Sequence, residues 1–143
     1  MTVASILKTK GNAVETASAA DTLHDVVRKL EAHGIGAVVV TDADKRVEGI
    51  LSERDVVRSL ARKGPGVLEQ PVTSHMTKDV VTCAPHDLID HVMEKMSAGK
   101  FRHMPVVEGG KLTGIISIGD VVKHKLAQAE SETAMLRDYV AMT

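Results

Sequence analysis

Stripes of apolar residues at helical spacing alternate with short apolar runs along this chain. Two stripes follow one face of a helix: Leu23, Val26, Val27 and Leu30, and then Leu88, Ile89, Val92, Met93 and Met96. The runs 37–41 and 104–107 are short and rich in β-branched residues, which is typical of buried strands. Turn residues and a second apolar run follow each of them, over 42–51 and 108–116, and predict return strands.

This pattern occurs twice, 65 or 66 residues apart. Residues 49–57 (GILSERDVV) return as 114–122 (GIISIGDVV), and 14–17 match 80–83. The predicted order of elements in each copy is therefore β-α-β-β-α, and we predict an α+β fold of two tandem repeats. One repeat of about 60 residues buries too little surface to be stable alone. We expect the two copies to pack sheet to sheet around a pseudo-two-fold axis, with paired clefts between them.

The domain boundaries follow from the repeat. The first repeat spans 1–63, a linker with Gly-Pro-Gly at its start spans 64–71, and the second repeat spans 72–126. Residues 127–143 are predicted to form a helical tail that continues the last helix. The apolar or small positions that keep the helical spacing there are Val122, Leu126, Ala129, Thr133, Leu136 and Val140.

A motif of Gly, two apolar residues and Ser-x-x-Asp lies at the strand-to-helix junction of both copies, with Ser52 and Asp55 in the first and Ser117 and Asp120 in the second. The free N–H groups and the helix dipole at such a junction favour a phosphate. The hydroxyl can donate to a phosphate oxygen, and the carboxylate can accept from the vicinal hydroxyls of a ribose. The same spacing is also close to a capping box, in which both side chains only close the helix end. The residues alone leave both interpretations open.

Composition narrows the classes of function. The 18 Lys and Arg against 19 Asp and Glu give a formal net charge of -1, so no global basic field attracts nucleic acid or an anionic membrane. No apolar stretch approaches the roughly 18 residues of a membrane span, and the N-terminus lacks the apolar core of a signal peptide. The lone cysteine, Cys83, suits a reducing compartment. We expect a soluble cytoplasmic protein without nucleic-acid or membrane partners.

Metal and catalytic chemistry have little support in the sequence. No two of the seven histidines have the i, i+4 helical spacing with an acidic partner, and no cysteine pair exists, so we expect no metal site. Cys83 falls in the predicted first strand of the second copy, where a buried apolar role is favoured over that of a nucleophile. No set of nucleophile, base and oxyanion donor is recognisable, and we expect no enzymatic activity.

The whole pattern resembles a tandem pair of cystathionine-β-synthase (CBS) domains, the arrangement called a Bateman module. The resemblance covers about residues 3–126 and is carried by five segments: 36–40, 49–55, 80–85, 101–107 and 114–121. It implies that adenosine nucleotides bind in the clefts between the repeats. AMP or NAD is the preferred ligand, while ATP, ADP and S-adenosylmethionine share the same adenosine.

The resemblance also implies roles for individual residues. The ribose is expected at Asp55 and Asp120. Five residues are expected to contact phosphate or ribose: Ser52, Arg54, Ser117, Arg102 and His103. Six are expected to border the adenine: Thr16, Ala17, Thr82, Ala84, Met104 and Pro105. The first copy departs from the pattern, since Gly36 and Ala37 stand where the second has Arg102 and His103. We therefore expect two unequal clefts, with Arg54 as a compensating cation in the first copy.

These features favour a stand-alone regulatory module that senses an adenosine nucleotide and signals by conformational change. A structural or dimerisation adaptor with empty clefts is the alternative, and a small nucleotide-processing enzyme is a further one. Modules of this family usually pair through helical faces into flat homodimers. We expect the apolar stripes and the helix with Met93 and Met96 to serve that contact. The sequence does not identify the regulated protein.

Overall fold

A computed structural model describes residues 1–142 of the chain. Its helices and strands, in chain order, are α1 (Val3–Lys10), β1 (Thr16–Ala17), α2 (Leu23–His33), β2 (Ala37–Thr41), β3 (Val47–Ser52), α3 (Glu53–Lys63), two 3-10 helices (Pro65–Glu69 and Val72–Ser74), α4 (Ile89–Gly99), β4 (His103–Glu108), β5 (Lys111–Ser117) and α5 (Ile118–Met142). The predicted α+β fold of two tandem repeats is confirmed.

The strands form two small sheets. In the first sheet β2 pairs in parallel with β1 and antiparallel with β3, and in the second β4 pairs antiparallel with β5. The first strand predicted for the second repeat is reduced to a parallel bridge between Cys83 and Val106. Only Cys83 exchanges ladder hydrogen bonds there, from its N–H to the Pro105 carbonyl and from the Val107 N–H to its own carbonyl. Pro85, two residues later, has no N–H with which to extend the ladder.

Local sequence signals explain where the helices of the first repeat begin and end. At the start of α2, Asp25 N–H donates to Thr22 Oγ1 (3.2 Å) while Thr22 N–H donates to Asp25 Oδ2 (2.9 Å), which is a capping box. Gly34 ends α2 at a φ of 60°, a left-handed conformation that glycine adopts without strain. Helix α3 begins with the same capping box at Ser52. The propensities of the chain and its fold therefore agree at these positions.

The two hydrophobic cores do not follow the order of the sequence. The first core contains Val67 and Val72, which lie after the first repeat, together with eight buried residues between Ala17 and Val56. The second core contains three residues of α1: Val3, Ile6 and Leu7. We call residues 3–10 and 65–77 the crossing segments, because each lies ahead of the first strand of one repeat and packs on the core of the other.

Glycines in the return strands make room for the crossing segments. A Cβ atom on Gly49 of β3 would lie 2.4 Å from Met76 Sδ, and one on Gly114 of β5 would lie 2.9 Å from Leu7 Cδ2. The equivalent glycines thus give the two repeats the same kind of contact with the opposite segment. This reciprocal arrangement is the pseudo-two-fold symmetry expected from the duplicated pattern.

The sheets of the two repeats also meet directly. Leu112 N–H on β5 donates to the Lys45 carbonyl in the turn before β3, at 2.9 Å. At the start of β4, the imidazole of His103 lies against the backbone of Gly36, beside β2. These contacts bring the start of β4 to the strand-to-helix junction of the first repeat.

Helix α5 is long, as its spacing predicts. Its apolar side chains are exposed from Val122 onward, including Leu126, Leu136 and Tyr139. The expectation that the helix contributes Met96 to an outer pairing face is wrong, while that for the half-buried Met93 stays a prediction. Met96 is buried in the second core and Met93 packs against that core, because this side of α4 faces β4 rather than solvent. No helix within residues 1–142 is long and apolar enough to cross a membrane.

The packing of α1 on the second core leads to a first prediction. Replacing Ile6, which is 5% exposed, by alanine is expected to lower the free energy of unfolding by about 2–5 kcal/mol, because it leaves a cavity. Lys8→Ala on the exposed side of the same helix is the matched control and is expected to stay within about 0.5 kcal/mol. Urea denaturation measures both. Equal, small changes would mean that α1 does not belong to the core.

The environment of Cys83 leads to a second prediction. Burial, together with the nearby Asp87 carboxylate, raises the pKa of its thiol to about 11. At pH 8 about one thiol in a thousand is then ionised, and the group is also inaccessible. We expect a disulfide reagent such as Ellman's reagent to label the native protein far more slowly than the same protein in guanidinium. Rapid labelling of the native protein would contradict this burial.

Candidate functional site

A cavity of about 540 Å³ lies between the two repeats, next to the junction of β3 and α3. Its volume is within the usual range for small-molecule sites, about 300–1,000 Å³. The first repeat contributes Ser52, Asp55 and their neighbours, and the second contributes the segments 77–81 and 99–103. We call this cavity the Asp55 cleft. Any ligand in it would contact both repeats at once.

The Ser52 and Asp55 side chains form a capping box at the mouth of the cleft. Asp55 N–H donates to Ser52 Oγ at 3.3 Å, and Asp55 Oδ2 accepts from both the N–H (2.9 Å) and the hydroxyl (3.0 Å) of Ser52. The other oxygen, Oδ1, has a longer ion pair with Arg58 at 3.8 Å. The capping interpretation is therefore confirmed, but it engages only one of the two carboxylate oxygens. Oδ1 is the atom through which a ligand hydroxyl can bind.

Charged and apolar side chains share the lining of the Asp55 cleft. Four basic residues face three acidic ones: Arg54, Arg58, Lys100 and Arg102 against Glu53, Asp55 and Asp79. Apolar side chains complete the wall: Ile50, Val80, Val81 and Phe101. Such a site can hold a molecule that has an anionic end, a hydroxylated middle and a flat apolar end.

His103 projects from β4 into the space that Gly36 leaves. A Cβ atom on Gly36 would lie 3.1 Å from His103 Nε2, so a larger residue there would displace the ring. Burial lowers the pKa of His103, and the charges of Lys10 and Arg102 add to this effect while Glu53 and Asp120 oppose it. The shift favours the neutral imidazole at pH 7.

The second Ser-x-x-Asp motif lies in a different environment, which we call the Asp120 junction (residues 115–120). Ser117 and Asp120 again form reciprocal capping bonds, at 2.9 and 3.1 Å. Here the ammonium group of Lys10 also donates to Asp120 Oδ2 at 2.7 Å and to the Ile115 carbonyl at 2.9 Å. Burial raises the pKa of Asp120, but the hydrogen bonds from Lys10 and Ser117 and the charge of Lys10 outweigh it and lower the pKa overall.

The structure brings five of the sequence-predicted site residues together in the Asp55 cleft: Ser52, Arg54, Asp55, Arg102 and His103. It thereby assigns Arg102 to the cleft of the first motif, which the sequence left undecided. Ser117 and Asp120 are not in the lining of this cleft and lie at the Asp120 junction, where Ser117 is the strand partner of His103.

The six residues expected to border the adenine are not in the lining of the Asp55 cleft. Ala17, Met104 and Pro105 are buried, with Ala17 and Met104 in the hydrophobic cores. Thr16, Thr82 and Ala84 are partly buried elsewhere. The apolar wall instead comes from Val80 and Val81, just before the bridge at Cys83, because the crossing segment leads past the cleft. Val81 is exposed and Val80 half-buried, and the sequence carries no local signal that places them in the cleft.

Other groups offer less chemistry. Within residues 1–142, no group of three or more His, Cys, Asp or Glu side chains is arranged to hold a metal ion. Cys83 directs its thiol towards the Pro105 carbonyl at 3.8 Å, inside the second core.

Known proteins with the same repeats share this architecture. The CBS-domain containing protein ATU1752 from Agrobacterium tumefaciens is 48% identical, with a TM-score of 0.84 over 87% of this chain and 99% of that one. The CBS domain protein PAE2072 from Pyrobaculum aerophilum, whose structure is a complex with AMP, is 27% identical, with a TM-score of 0.75 over 84% of this chain and 89% of that one.

A curated relative, the mitochondrial CBS domain-containing protein CBSX3 from Arabidopsis thaliana, is 28% identical over 97% of this chain and 71% of its own length. The chain spans 63% of the length of a second curated relative and 20% of the length of a third. The family model of the CBS domain matches residues 4–62 and 72–127, one match for each repeat. This chain therefore belongs to the CBS domain family, as a tandem pair of CBS domains.

Proposed function

We propose that this protein is a regulatory module that binds one adenosine nucleotide, of the AMP or NAD type, in the Asp55 cleft. The observation that carries the proposal is the lining of that cleft, where Asp55, Arg102 and His103 meet an apolar wall. The complex of the relative PAE2072 with AMP supports an adenosine ligand.

Asp55 is the proposed ribose-binding residue. Its Oδ2 atom is held by Ser52, which fixes the carboxylate in one orientation, while Oδ1 has the more distant Arg58 as its partner. A carboxylate accepts strong hydrogen bonds from hydroxyl donors, and the two hydroxyls of a ribose can share its oxygens. The capping box and the ribose contact therefore use the same side chain without competing.

Arg54 and Arg102 are the proposed phosphate-binding residues. They come from different repeats and line the same cleft. Arginine binds phosphate through paired charge-assisted hydrogen bonds, which are stronger than neutral ones. The adenine is then left to the apolar wall of Ile50, Val80 and Val81.

The bound nucleotide can act as a signal because it contacts both repeats and so affects their arrangement. A nucleotide held by Asp55 of one repeat and Arg102 of the other stabilises the arrangement in which these residues face one cleft. A ligand that binds one arrangement more tightly shifts the population towards it. We propose no catalysis, because no set of nucleophile, base and oxyanion donor is recognisable in the chain. We place the module in the cytoplasm, whose reducing conditions suit its single cysteine, the buried Cys83.

We further propose that the protein is a homodimer. Helix α5 exposes large apolar side chains, including Leu126 and Leu136, which are 60% and 66% exposed. Exposed apolar surface of this kind is typical of protein–protein contacts.

The ribose contact is tested by replacing Asp55 with asparagine. We expect AMP affinity to fall about tenfold to a hundredfold, which corresponds to the loss of one charge-assisted hydrogen bond. Asp25→Asn is the matched control, because Asp25 forms the same capping box at the start of α2, away from the cleft. It is expected to keep the affinity of the wild type. Isothermal titration calorimetry measures binding, and thermal unfolding measures the effect on each cap.

Two results would contradict this proposal. If both variants lose stability but bind AMP as the wild type does, the Ser-x-x-Asp motif is only a helix cap. If neither AMP, ATP nor NAD binds the wild type at millimolar concentration, the protein is better described as a structural adaptor with empty clefts.

The assembly is tested by light scattering after size exclusion. At micromolar concentration we expect a mass near twice 15.3 kDa, the mass of one chain. Leu126→Glu together with Leu136→Glu is expected to shift the mass towards one chain, because charges replace the apolar contact. Lys123→Glu with Lys125→Glu tests whether added negative charge alone has this effect. A wild-type mass near 15.3 kDa would refute the dimer.

A further inference from the structure

The two Ser-x-x-Asp motifs are alike in sequence but differ in what faces their carboxylates. Among residues 1–142, the ion pair of Asp55 is with Arg58 of its own helix, at 3.8 Å. Asp120 is bound by Lys10, 110 residues earlier in the chain, at 2.7 Å. The difference lies in a residue outside both motifs.

Lys10 bridges the end of a strand and the start of a helix. Its ammonium group donates both to the Ile115 carbonyl at the end of β5 and to Asp120 at the start of α5. These are the points that correspond to Ile50 and Asp55 in the first repeat. The ammonium binds Oδ2, the oxygen that also accepts from the Ser117 N–H, and its charge neutralises the carboxylate that would accept the ribose hydroxyls.

The other crossing segment makes a different contact at the corresponding place. In the first repeat the Ile50 carbonyl accepts a hydrogen bond from the backbone N–H of Thr77, at 2.9 Å. No side chain of that segment forms an ion pair with Asp55 among the residues that the structure describes. The crossing segment 65–77 thus places a backbone amide beside the first motif and leaves the Asp55 cleft open. The crossing segment 3–10 places an ammonium group beside the second motif.

The position of Lys10 is fixed by the packing of α1. Helix α1 ends at Lys10, and its buried residues Val3 and Ile6 anchor it in the second core. Leu7, one turn before Lys10, lies over Gly114. Because the helix is already ordered, placing the ammonium group costs only the entropy of its own side chain. A ligand at Asp120 has to displace this group first.

We propose that the ion pair with Lys10 prevents ribose binding at the Asp120 junction by neutralising its carboxylate, and that it thereby limits each chain to one tightly bound adenosine nucleotide. This inference rests on the proposed function of the Asp55 cleft. It makes Lys10, rather than the motif itself, the residue that determines the stoichiometry of binding.

The experiment counts AMP molecules per chain by isothermal titration calorimetry. The wild type is expected to bind one AMP. Lys10→Met keeps the length of the side chain and removes the charge, and it is expected to bind two. Lys8→Met removes an equal charge from the exposed side of α1 and is expected to bind one. Adding Asp120→Asn to Lys10→Met is expected to remove the second molecule.

Each other outcome overturns the inference. One AMP in both the wild type and Lys10→Met leaves the Asp55 cleft intact as the proposed site but refutes the role of Lys10. Weaker binding in Lys10→Met makes Lys10 a ligand-binding residue, and two molecules in the wild type show that it blocks nothing. No AMP in either protein refutes both proposals. Thermal unfolding confirms the fold of each variant, and Lys10→Gln, which keeps a polar end, replaces Lys10→Met if the latter does not fold.

Discussion

The exchange of crossing segments between the two repeats determines most of this structure. Leu7 packs over Gly114 and Met76 packs over Gly49, at positions where any side chain would collide with the incoming one. Each repeat therefore completes its core with residues that precede the other repeat, and neither core is complete without both. This suits a repeat of about 60 residues, which buries too little apolar surface to be stable alone. It also explains why a duplicated sequence forms one molecule rather than two independent domains.

The same exchange determines what each Ser-x-x-Asp motif encounters. In both repeats the serine and aspartate close the end of a helix, and the capping bonds are nearly the same. The motifs differ in the crossing segment that lies against them. The Ile50 carbonyl accepts a hydrogen bond from a backbone amide, whereas the Ile115 carbonyl accepts one from the ammonium group of Lys10. Two copies of one motif thus have unequal surroundings: Asp55 lines a cleft with four basic residues, whereas Asp120 is ion-paired with Lys10.

Symmetry is also broken at the start of the central strands. Gly36 and Arg102 occupy equivalent positions in the two repeats. The missing side chain of Gly36 accommodates the imidazole of His103, and Arg102 lines the Asp55 cleft. The smaller residue of one repeat therefore provides the space that the larger residues of the other fill. A sequence comparison shows the difference between the copies, but it does not show that the two differences are complementary.

The sequence by itself determined the elements and the motifs. The helical stripes, the β-branched runs and the repeat of 65 or 66 residues predicted every helix from α2 to α5 and the paired strands, because these depend on local periodicity and capping. It identified five residues of the candidate site, but it did not show that they line one cleft. These residues are Ser52, Arg54, Asp55, Arg102 and His103. Only the tertiary structure decided that Val80 and Val81 form its wall, that Met104 and Ala17 belong to the cores, and that Lys10 binds Asp120. These outcomes depend on contacts between residues up to 110 positions apart, which no local pattern encodes.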